Sequence, residues 1–400
     1  MADAAHRTPG LAVHPCPLCG ATGCLSAYGL PEARLASSGA SRALEIAVCQ
    51  DCGFVFQLGA LEEGYAEFMR HAYESWDDQP LFAFPRRSED NLEAAAMVAR
   101  NSRADAQVLE IGSNRGDILA LVKELLPQAG ILGVDPAAHE DLAVPTLRAF
   151  FAPELFAEPF DTVILKQVLE HFADPRPMLD GVRRVLKDGG VLYLDVPNLA
   201  RILEARTDAF LLEHAAYYTL ATLTSVLAGY ELLEVEEAGS LRLAARKLPG
   251  PGGFARPEGG KVAVEHAARG LARLAQGRER GKEILAAHAS AGGRVVFFGA
   301  YNCFRALYRE LAPLLGASPC VVLDDALTAE REPVFGLPRT LAPQPGDLVL
   351  LCSNNADVLE RMAQRLHTLD SGAAGGFAVL RPWSTLTGAD GVSSDLGARA

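Results

Sequence analysis

The stretch AQVLEIGSNRGDILALVKELL, residues 106–126, has the pattern of an apolar strand, a glycine turn and a helix. Gly112 and Gly116 mark the turn, because glycine lets the backbone approach a ligand closely. Ligands of open α/β sheets bind at the carboxyl ends of the strands, and this turn follows such an end. The stretch therefore predicts an α/β domain that binds a ligand at the turn.

A second strand is predicted in AGILGVDP, residues 129–136, and it ends in an acidic residue. Asp135 lies about twenty residues after the turn, where a carboxylate can accept both ribose hydroxyls of a nucleoside. The turn lacks the third glycine that fits a pyrophosphate against a helix, which disfavours a dinucleotide dehydrogenase. Glu110, just before the first glycine, would repel phosphates but suits a cationic amino-acid end. These residues predict a nucleoside ligand that carries a cationic group.

Residues 160–199 add a buried strand with a polar exit, a helix, a glycine turn and another strand. The motifs LEIGSNRGD, GVD, LKQVLEH and LKDGGVLYLDVP follow one another in the order and spacing of the class I S-adenosylmethionine-dependent methyltransferases, which this part of the chain resembles. The resemblance implies S-adenosylmethionine as cofactor. The residues that it implies for the methionine end are Glu110, Gly112 and Gly116, for the ribose Asp135, and for the adenine region Phe150 with Phe151 or Gln167. Within LKQVLEH, we interpret His171 as a residue that only caps or decorates the following helix.

Two Cys-x-x-Cys-Gly knuckles lie near the start of the sequence, CPLCG at residues 16–20 and CQDCG at residues 49–53. Each knuckle turns two thiolates toward one ion, and two knuckles complete a tetrahedral zinc shell. Four cysteines close that shell, so Cys16, Cys19, Cys49 and Cys52 predict a structural zinc site. Redox dithiols and merely packed cysteines are the rival interpretations, and Cys24 or His14 could replace one ligand.

Length and charge limit the classes of protein. A chain of 400 residues exceeds the roughly 250 to 300 residues of one core, so two or three domains are expected. A formal net charge of −13 argues against a nucleic-acid partner, whose phosphates require clustered Lys and Arg. The sequence contains neither an apolar signal region nor a run of about 18 apolar residues, which predicts a cytoplasmic protein without a membrane partner.

The last third of the sequence repeats the strand, glycine and helix pattern after a segment rich in glycine and proline, residues 247–260. No glycine-rich phosphate turn occurs there, which favours a scaffold or substrate-holding role over a second cofactor site. The chain is therefore expected to be α/β, with a zinc-binding domain (1–65), a class I methyltransferase domain of Rossmann-like fold (66–246) and a degenerate Rossmann-like α/β domain (247–400).

This combination of domains resembles the bacterial nucleotide-sugar C-methyltransferases over nearly the whole chain. The resemblance implies a role in deoxysugar biosynthesis, with a nucleotide-linked ketosugar enclosed against the methyl donor. It assigns catalytic positions to Glu213 and His214, and to Tyr73 in the aromatic segment HAYESW. The sequence departs from the family at Leu211, where a tyrosine is expected, and in GAYNCF, residues 299–304, which lacks the family's lysine.

The chemistry of carbon methylation suits these residue types. A histidine with a pKa near neutrality can remove the proton beside a carbonyl, while a glutamate orients it or binds sugar hydroxyls and a tyrosine hydroxyl stabilises the oxyanion. The rival interpretation places Glu213 in the first turn of a helix for electrostatic reasons, with Tyr217 and Leu220 in its buried stripe. We interpret the pair as a substrate-facing cluster at the start of a helix.

Two further hypotheses stay open at this point. The first is a methyltransferase that attacks oxygen or nitrogen of another specialised-metabolism substrate on the same scaffold. The second is a protein that binds the cofactor without catalysis. The site of methylation in the product would test the first hypothesis, and calorimetry of cofactor binding would test the second.

Overall fold

The computed structural model describes residues 11–12, 14–34, 41–74, 88–137, 142, 144–205, 210–257, 260–299, 302–324, 336–353, 356–370 and 377–380. The chain divides into two units. The first consists of Met1–Leu199 with Leu211–Ala268, and the second of Ala200–Phe210 with Arg269–Ala400. The predicted domain boundaries at residues 65 and 246 stay predictions.

The first unit begins with an antiparallel sheet in the order β1-β2-β3-β4-β10. Its strands are β1 (Leu11–Ala12), β2 (Cys24–Arg34), β3 (Ser41–Cys49), β4 (Val55–Gln57) and β10 (Ala216–Tyr217). A 3-10 turn and helix α1 (Tyr65–Glu74) follow β4. The fifth strand comes from a distant part of the chain, because Ala216 pairs with Phe56 and Tyr217 with Val55.

A seven-stranded sheet forms the centre of the first unit, in the order β11-β12-β9-β8-β5-β6-β7. Its strands are β5 (Gln107–Ile111), β6 (Gly130–Val134), β7 (Thr146–Leu147), β8 (Phe160–Lys166), β9 (Leu186–Pro197), β11 (Tyr230–Glu237) and β12 (Ser240–Lys247). Strands β5 to β9 are parallel, and β11 and β12 are antiparallel. The chain leaves β5 toward β6 and returns to the other side at β8, so the topological switch point lies between β5 and β8.

Alternation along the strands builds an apolar layer on each face of this sheet. On β5, Leu109 and Ile111 join the cluster that also contains Phe54 and Phe56 of the N-terminal sheet. Val108 points to the opposite cluster, which contains buried residues of two helices. The helices of this unit are α2 (Glu89–Asn101), α3 (Asp117–Leu125), α4 (Arg176–Val185), α6 (Leu220–Ser225) and the first part of α7 (Gly260–Ser290).

The segment rich in glycine and proline is bound to the first unit over part of its length. The guanidinium of Arg183, on α4, donates to the carbonyls of Gly229, Leu248 and Gly250 at 2.9, 3.1 and 2.6 Å. A Cβ on Gly252 would lie 2.5 Å from the Arg183 side chain. Arg183 therefore holds this part of the predicted linker against the end of the seven-stranded sheet.

The second unit contains a parallel sheet in the order β14-β13-β15-β16. The strands are β13 (Val295–Phe298), β14 (Cys320–Leu323), β15 (Leu348–Leu351) and β16 (Ala378–Leu380). Buried residues of the rest of α7 and of α8 (Asn302–Leu315) cover one face of the sheet, and those of α9 (Ala356–Asp370) cover the other. Most of α5 (Leu199–Ala205) belongs to this unit too. The predicted α/β class is confirmed, whereas Ala300 and Tyr301 of GAYNCF lie outside the described residues.

Among the described residues, no helix is long and apolar enough to cross a lipid bilayer.

Two glycines with the same backbone conformation allow a matched test of the turn after β5. Gly116 (φ +77°) caps α3, and a Cβ there would lie 2.0 Å from Val144 Cγ2. Gly189 also has φ +77°, but no atom of the described residues lies within 4 Å of the position that a Cβ would take there. Substitution by alanine should cost about 1–2 kcal/mol at Gly189 from backbone strain and about 1–3 kcal/mol more at Gly116 from the clash. Urea unfolding followed by circular dichroism measures both, and equal losses would contradict the clash with Val144.

Candidate functional site

Four cysteines of the N-terminal sheet meet in a centre that we call the Cys centre, formed by Cys16, Cys19, Cys49 and Cys52. Their sulfur atoms all lie within 4.8 Å of one another. The Cys16 and Cys52 sulfurs are 3.7 Å apart, and those of Cys19 and Cys49 are 3.6 Å apart. Zn–S bonds of about 2.3 Å give a tetrahedron with edges of about 3.8 Å, so the four sulfurs fit one zinc ion.

The local backbone explains how both knuckles present their thiols. Gly20 (φ +76°) and Gly53 (φ +74°) close the two turns in the left-handed conformation, and their N–H groups donate to the carbonyls of Cys16 and Cys49. Both interactions follow from the Cys-x-x-Cys-Gly spacing. Cys24 lies outside this group, since its thiol points to the Ala21 carbonyl at 3.9 Å.

The turn after β5 carries the predicted methionine-end residues. Glu110 is 3% exposed, and its Oε2 atom has no hydrogen-bond partner in the part of the chain that the structure describes. Burial raises the pKa of Glu110 to about 8, despite the nearby Lys166 ammonium. A Cβ on Gly112 (φ +74°) would lie 2.5 Å from Val168 Cγ2, so the backbone passes closely at the switch point. A buried carboxyl with one oxygen left without a hydrogen bond fits a ligand that supplies a cation.

Asp135 lies where β6 ends and contacts the same turn. Its two carboxylate oxygens accept hydrogen bonds from the N–H groups of Asn114, at 2.8 Å, and Ala137, at 2.7 Å. Asn114 has φ +47°, a conformation that this bond supports. Asp135 therefore shapes the turn, and its carboxylate lies at the end of β6, where the resemblance implies a ribose.

The three candidates for the adenine region occupy different surroundings. Phe150 is 54% exposed. Phe151 is half-buried against Phe156, with ring centroids 6.1 Å apart. Gln167 (φ +54°) donates through its side-chain amide to Asp195 at 2.9 Å, which binds it to the end of β9. Phe150 is therefore the candidate with a ring face accessible for stacking.

The prediction that a helix begins at Glu213 is wrong. Glu213 and His214 lie in a turn, Tyr217 belongs to β10, and α6 starts only at Leu220. Thr219 caps that helix through a reciprocal bond pattern with Thr222. Pairing with β4 holds Ala216 and Tyr217 in an extended conformation, and this long-range contact overrides the local helical pattern.

The structure brings His214 together with His171 and Glu170, which lie just beyond β8. One ligand-type atom of each of these three residues lies within 4.8 Å of the others, and the two imidazole rings meet edge to face with centroids 5.2 Å apart. His171 Nδ1 donates to the Glu213 carbonyl at 2.7 Å, so its lone pair is on Nε2. The interpretation of His171 as decoration of the next helix is therefore wrong.

Electrostatics in this cluster are governed by burial. Glu170 is 1% exposed, and neither of its carboxyl oxygens has a hydrogen-bond partner among the residues described. Burial raises the pKa of Glu170 to about 8 and lowers that of His171. The pKa of His214 is lowered well below its ordinary value by burial and by His171. At neutral pH, both imidazoles are therefore uncharged and Glu170 is largely protonated.

The cluster of Glu170, His171 and His214 can accept and donate a proton. Neutral imidazole has the free lone pair that a base needs. Carboxylate and imidazole are also zinc ligands, but an ion bound here would occupy that lone pair.

Glu213 is buried, and Tyr217, beside His214, exchanges hydrogen bonds with the main chain of Leu211 at 3.1 and 3.2 Å.

The predicted roles of Tyr73 and of the Leu211 position stay predictions. Tyr73 lies on α1, but its side chain is outside the described residues, so its catalytic role stays a prediction. Leu211, which replaces the expected tyrosine, is half-buried. The family motif alone did not indicate that Glu170 and His171 belong to the cluster around His214. The signal in the sequence that could have indicated it is their position just after β8, where the chain becomes polar.

An ion network near the switch point was also missed. Lys166, the last residue of β8, contacts Asp90 on α2 at 2.6 Å. Arg242 of β12 contacts the other oxygen of Asp90 at 2.5 Å, as well as Glu93 and Glu236. The partners come from four separate elements, so no local spacing in the sequence could have indicated this network.

Comparisons with known proteins agree with the fold. Residues 65–236 match a protein-family model described as a methyltransferase domain. The match includes the turn after β5, Asp135 and the cluster of Glu170, His171 and His214. These residues form a class I methyltransferase domain.

Relatives of this methyltransferase domain differ in the reactions that their names state. The C-methyltransferase NovU of Streptomyces niveus is 27% identical over 206 residues, 48% of this chain and 47% of the relative. The trans-aconitate 2-methyltransferase of Azoarcus is 32% identical over 136 residues, 31% of this chain and 51% of the relative. The chain thus spans about half the length of these curated relatives.

The 1,6-didemethyltoxoflavin-N1-methyltransferase of Burkholderia thailandensis, solved with 1,6-didemethyltoxoflavin and S-adenosylhomocysteine, is one similar structure. It is 17% identical, with a TM-score of 0.33, and the alignment covers 50% of this chain and 97% of that one.

The Cys centre next to the methyltransferase domain gives a direct test by metal analysis. We expect about one zinc ion per chain, lost in Cys52→Ser because three thiolates bind the ion much more weakly than four. Cys24→Ser is the matched control, since Cys24 is equally buried but lies outside the group, and it should keep its zinc. Metal that stays in Cys52→Ser would contradict the assignment. A second ion in both variants would point to Glu170, His171 and His214 as ligands.

Proposed function

We propose that the chain is an S-adenosylmethionine-dependent methyltransferase that methylates carbon of a nucleotide-linked ketosugar through an enolate. The pairing of neutral His171 and His214 beside Glu213 carries the proposal, because this pair can take a proton from carbon. The similarity to a C-methyltransferase supports the choice of carbon. Glu110, Gly112 and Gly116, at the turn after β5, support S-adenosylmethionine as the cofactor.

The cofactor would bind at the switch point of the seven-stranded sheet. Glu110 supplies a carboxyl for the methionine ammonium, and Asp135, at the end of β6, supplies carboxylate oxygens for the ribose hydroxyls. Phe150 offers an exposed ring for the adenine. When bound, S-adenosylmethionine supplies an electrophilic methyl group on sulfur. The zinc ion of the Cys centre takes no part in the reaction, since four thiolates leave no open coordination position.

In the proposed reaction, His214 takes the proton from the carbon next to the sugar carbonyl. The C–H electrons form the enolate double bond, and the negative charge moves to the carbonyl oxygen. Bound S-adenosylmethionine would supply the methyl group for this carbon: the new C–C bond would form as the methyl–sulfur bond breaks, leaving S-adenosylhomocysteine. Removal of the proton from His214 to solvent restores the base. Glu213 orients His214 or binds sugar hydroxyls, and Tyr73 donates to the oxyanion.

His171 assists in this scheme by its position. Its Nδ1–H is bound to the Glu213 carbonyl, which fixes the turn that carries His214. Burial, together with the nearby His171, lowers the pKa of His214, so His214 is neutral before reaction. A hydroxyl substrate would need the same base. Methyl transfer to oxygen is therefore the second candidate, favoured by the similarity to a ubiquinone biosynthesis O-methyltransferase, 29% identical over 112 residues.

Binding of the cofactor should depend on pH through Glu110. The unbound carboxyl has a pKa of about 8, and the ammonium requires its charged form. Binding at pH 7 should therefore release a proton, and affinity should rise by up to about tenfold per pH unit until about pH 8. Calorimetry in buffers with different ionisation enthalpies measures this release.

Glu110→Gln tests the same carboxyl with a side chain of equal size. It should abolish the proton release and weaken binding by roughly 10- to 100-fold, since a charge-assisted hydrogen bond contributes about 1.5–3 kcal/mol. Glu63→Gln, at an exposed position, is the control and should bind normally. Unchanged proton release in Glu110→Gln would exclude Glu110 as the ammonium partner.

The position of the transferred methyl decides the reaction. Purified protein is incubated with S-adenosylmethionine labelled at the methyl carbon and a panel of nucleotide-linked ketosugars, and the product is examined by carbon NMR. We expect a methyl resonance typical of carbon attachment. A methoxy resonance would refute the enolate mechanism and support transfer to oxygen. A protein that binds the cofactor but yields no methylated product with any ketosugar would count against the substrate class.

Removal of the base gives a further prediction. His214→Ala should abolish methylation and leave cofactor affinity unchanged, whereas His266→Ala, at an exposed position of α7, should keep full activity. Because the base acts when neutral, activity measured with the cofactor saturating at every pH should fall in acid only as pH drops through the His214 pKa, well below 6.5. Normal turnover in His214→Ala, or loss of half the activity already above pH 6.5, would remove His214 from the mechanism.

A further inference from the structure

The turn that carries Glu213 and His214 belongs to a longer element, residues 211–218, which we call the junction segment. On one side, its main chain is bound by the N-terminal sheet and α1. Tyr65 donates its hydroxyl to the Leu212 carbonyl at 2.9 Å, and the Gln57 N–H donates to the Ala215 carbonyl at 2.9 Å. Residues 216–217 then form β10 against β4.

On the other side, the junction segment is bound by the methyltransferase domain. The Ala215 N–H donates to the Glu170 carbonyl at 2.8 Å, and the Leu199 N–H donates to the Tyr218 carbonyl at 2.9 Å. His171 binds the Glu213 carbonyl, as described above. His214 therefore sits where two sheets of the first unit meet, and its position requires both.

The strand that binds the junction segment begins directly after the Cys centre. Cys49 ends β3, Cys52 lies in the following turn, and the Cys49 N–H donates to the Phe54 carbonyl at 2.9 Å. The Phe54 ring stacks on Phe56 with centroids 5.9 Å apart and contacts Tyr218 with centroids 5.7 Å apart. A continuous set of contacts thus leads from two of the thiols to the end of the junction segment.

Because its strands are short, the β4–β10 pair depends strongly on the contacts around it. β10 has two residues and β4 has three, too few to form a stable pair by themselves. β4 also pairs with β3, from Val48 opposite Val55 to Ile46 opposite Gln57, so the position of β4 depends on the β3–β4 turn that holds Cys52. Four neutral thiols crowded at 3.6 to 3.7 Å would contribute little, whereas thiolates bound to one ion would fix both knuckles.

We propose that metal binding at the Cys centre positions the proposed base, through β4, Gln57 and Tyr65, and that Tyr65 is a positioning residue. The inference rests on the proposed function for the role of His214, but its structural part does not. The bound ion acts through the chain's own residues: it fixes the turn, the turn fixes β4, and β4 fixes the junction segment. The cofactor turn after β5 has no part in this path.

Hydrogen exchange read by mass spectrometry tests the structural part without any substrate. The full chain is compared before and after zinc removal by a chelator, with metal loss verified by elemental analysis. Exchange should rise at residues 211–219 by at least about tenfold for the slowest amides, a loss of about 1.4 kcal/mol of local protection. Residues 107–111 and 130–134, in β5 and β6, should keep their protection.

Two results would overturn the inference. In the first, exchange rises in β2 to β4 after metal loss but not at 211–219. In the second, it rises equally in β5 and β6, which would mean general unfolding. Neither readout requires turnover, so a failure of the ketosugar proposal leaves this test intact.

Tyr65→Phe isolates one bond of the path while the ion remains. It removes only the hydroxyl bound to Leu212 and should raise exchange at 211–219, lower turnover with the accepted substrate severalfold, and leave zinc content and cofactor affinity unchanged. Tyr230→Phe is the matched control, because Tyr230 lies on β11, at the edge of the seven-stranded sheet, with its ring against Arg183. Normal exchange at 211–219 in Tyr65→Phe would show that Tyr65 does not position the segment.

Discussion

The pairing of β4 with β10 is the contact on which the candidate active site depends. It joins Val55 and Phe56, directly after the cysteine knuckles, to residues 216–217, directly after Glu213 and His214. The pair is too short to persist alone; pairing of β4 with β3 and the apolar cluster around Phe54 and Phe56 support it, and we propose that the Cys centre does so too. The methyltransferase domain and the N-terminal sheet therefore share one apolar core, and both contact the segment that carries the proposed base.

The first unit also contains two buried carboxyl groups with oxygens that lack a hydrogen-bond partner within the described structure. Glu110 beyond the middle of β5 and Glu170 beyond β8 are both buried, both lack a hydrogen-bond partner for at least one carboxyl oxygen within the described structure, and both have a pKa of about 8. An orphaned buried polar group costs roughly 1–3 kcal/mol. The two carboxyls flank the switch point, where one is suited to a cationic ligand and the other lies beside the imidazole pair.

Local sequence patterns predicted the parts of the fold that depend on neighbours in the chain. The strand, glycine turn and helix of residues 106–126 form as expected, because alternation and glycine conformation act within a few residues. The same kind of reasoning was wrong at Glu213, where it predicted a helix. A strand more than a hundred positions away decides that segment, and no window of local sequence contains that strand.

The amino-acid sequence by itself determined the chemistry that is available: four thiols in two knuckles, a carboxylate before a glycine turn, and a histidine next to a glutamate. Tertiary structure decided how these groups are used. It placed His171 against His214, left Glu110 and Glu170 buried, and brought β10 to the N-terminal sheet. Residue types and short spacings are local properties, whereas burial, pKa and the meeting of two rings depend on which distant strands pack together.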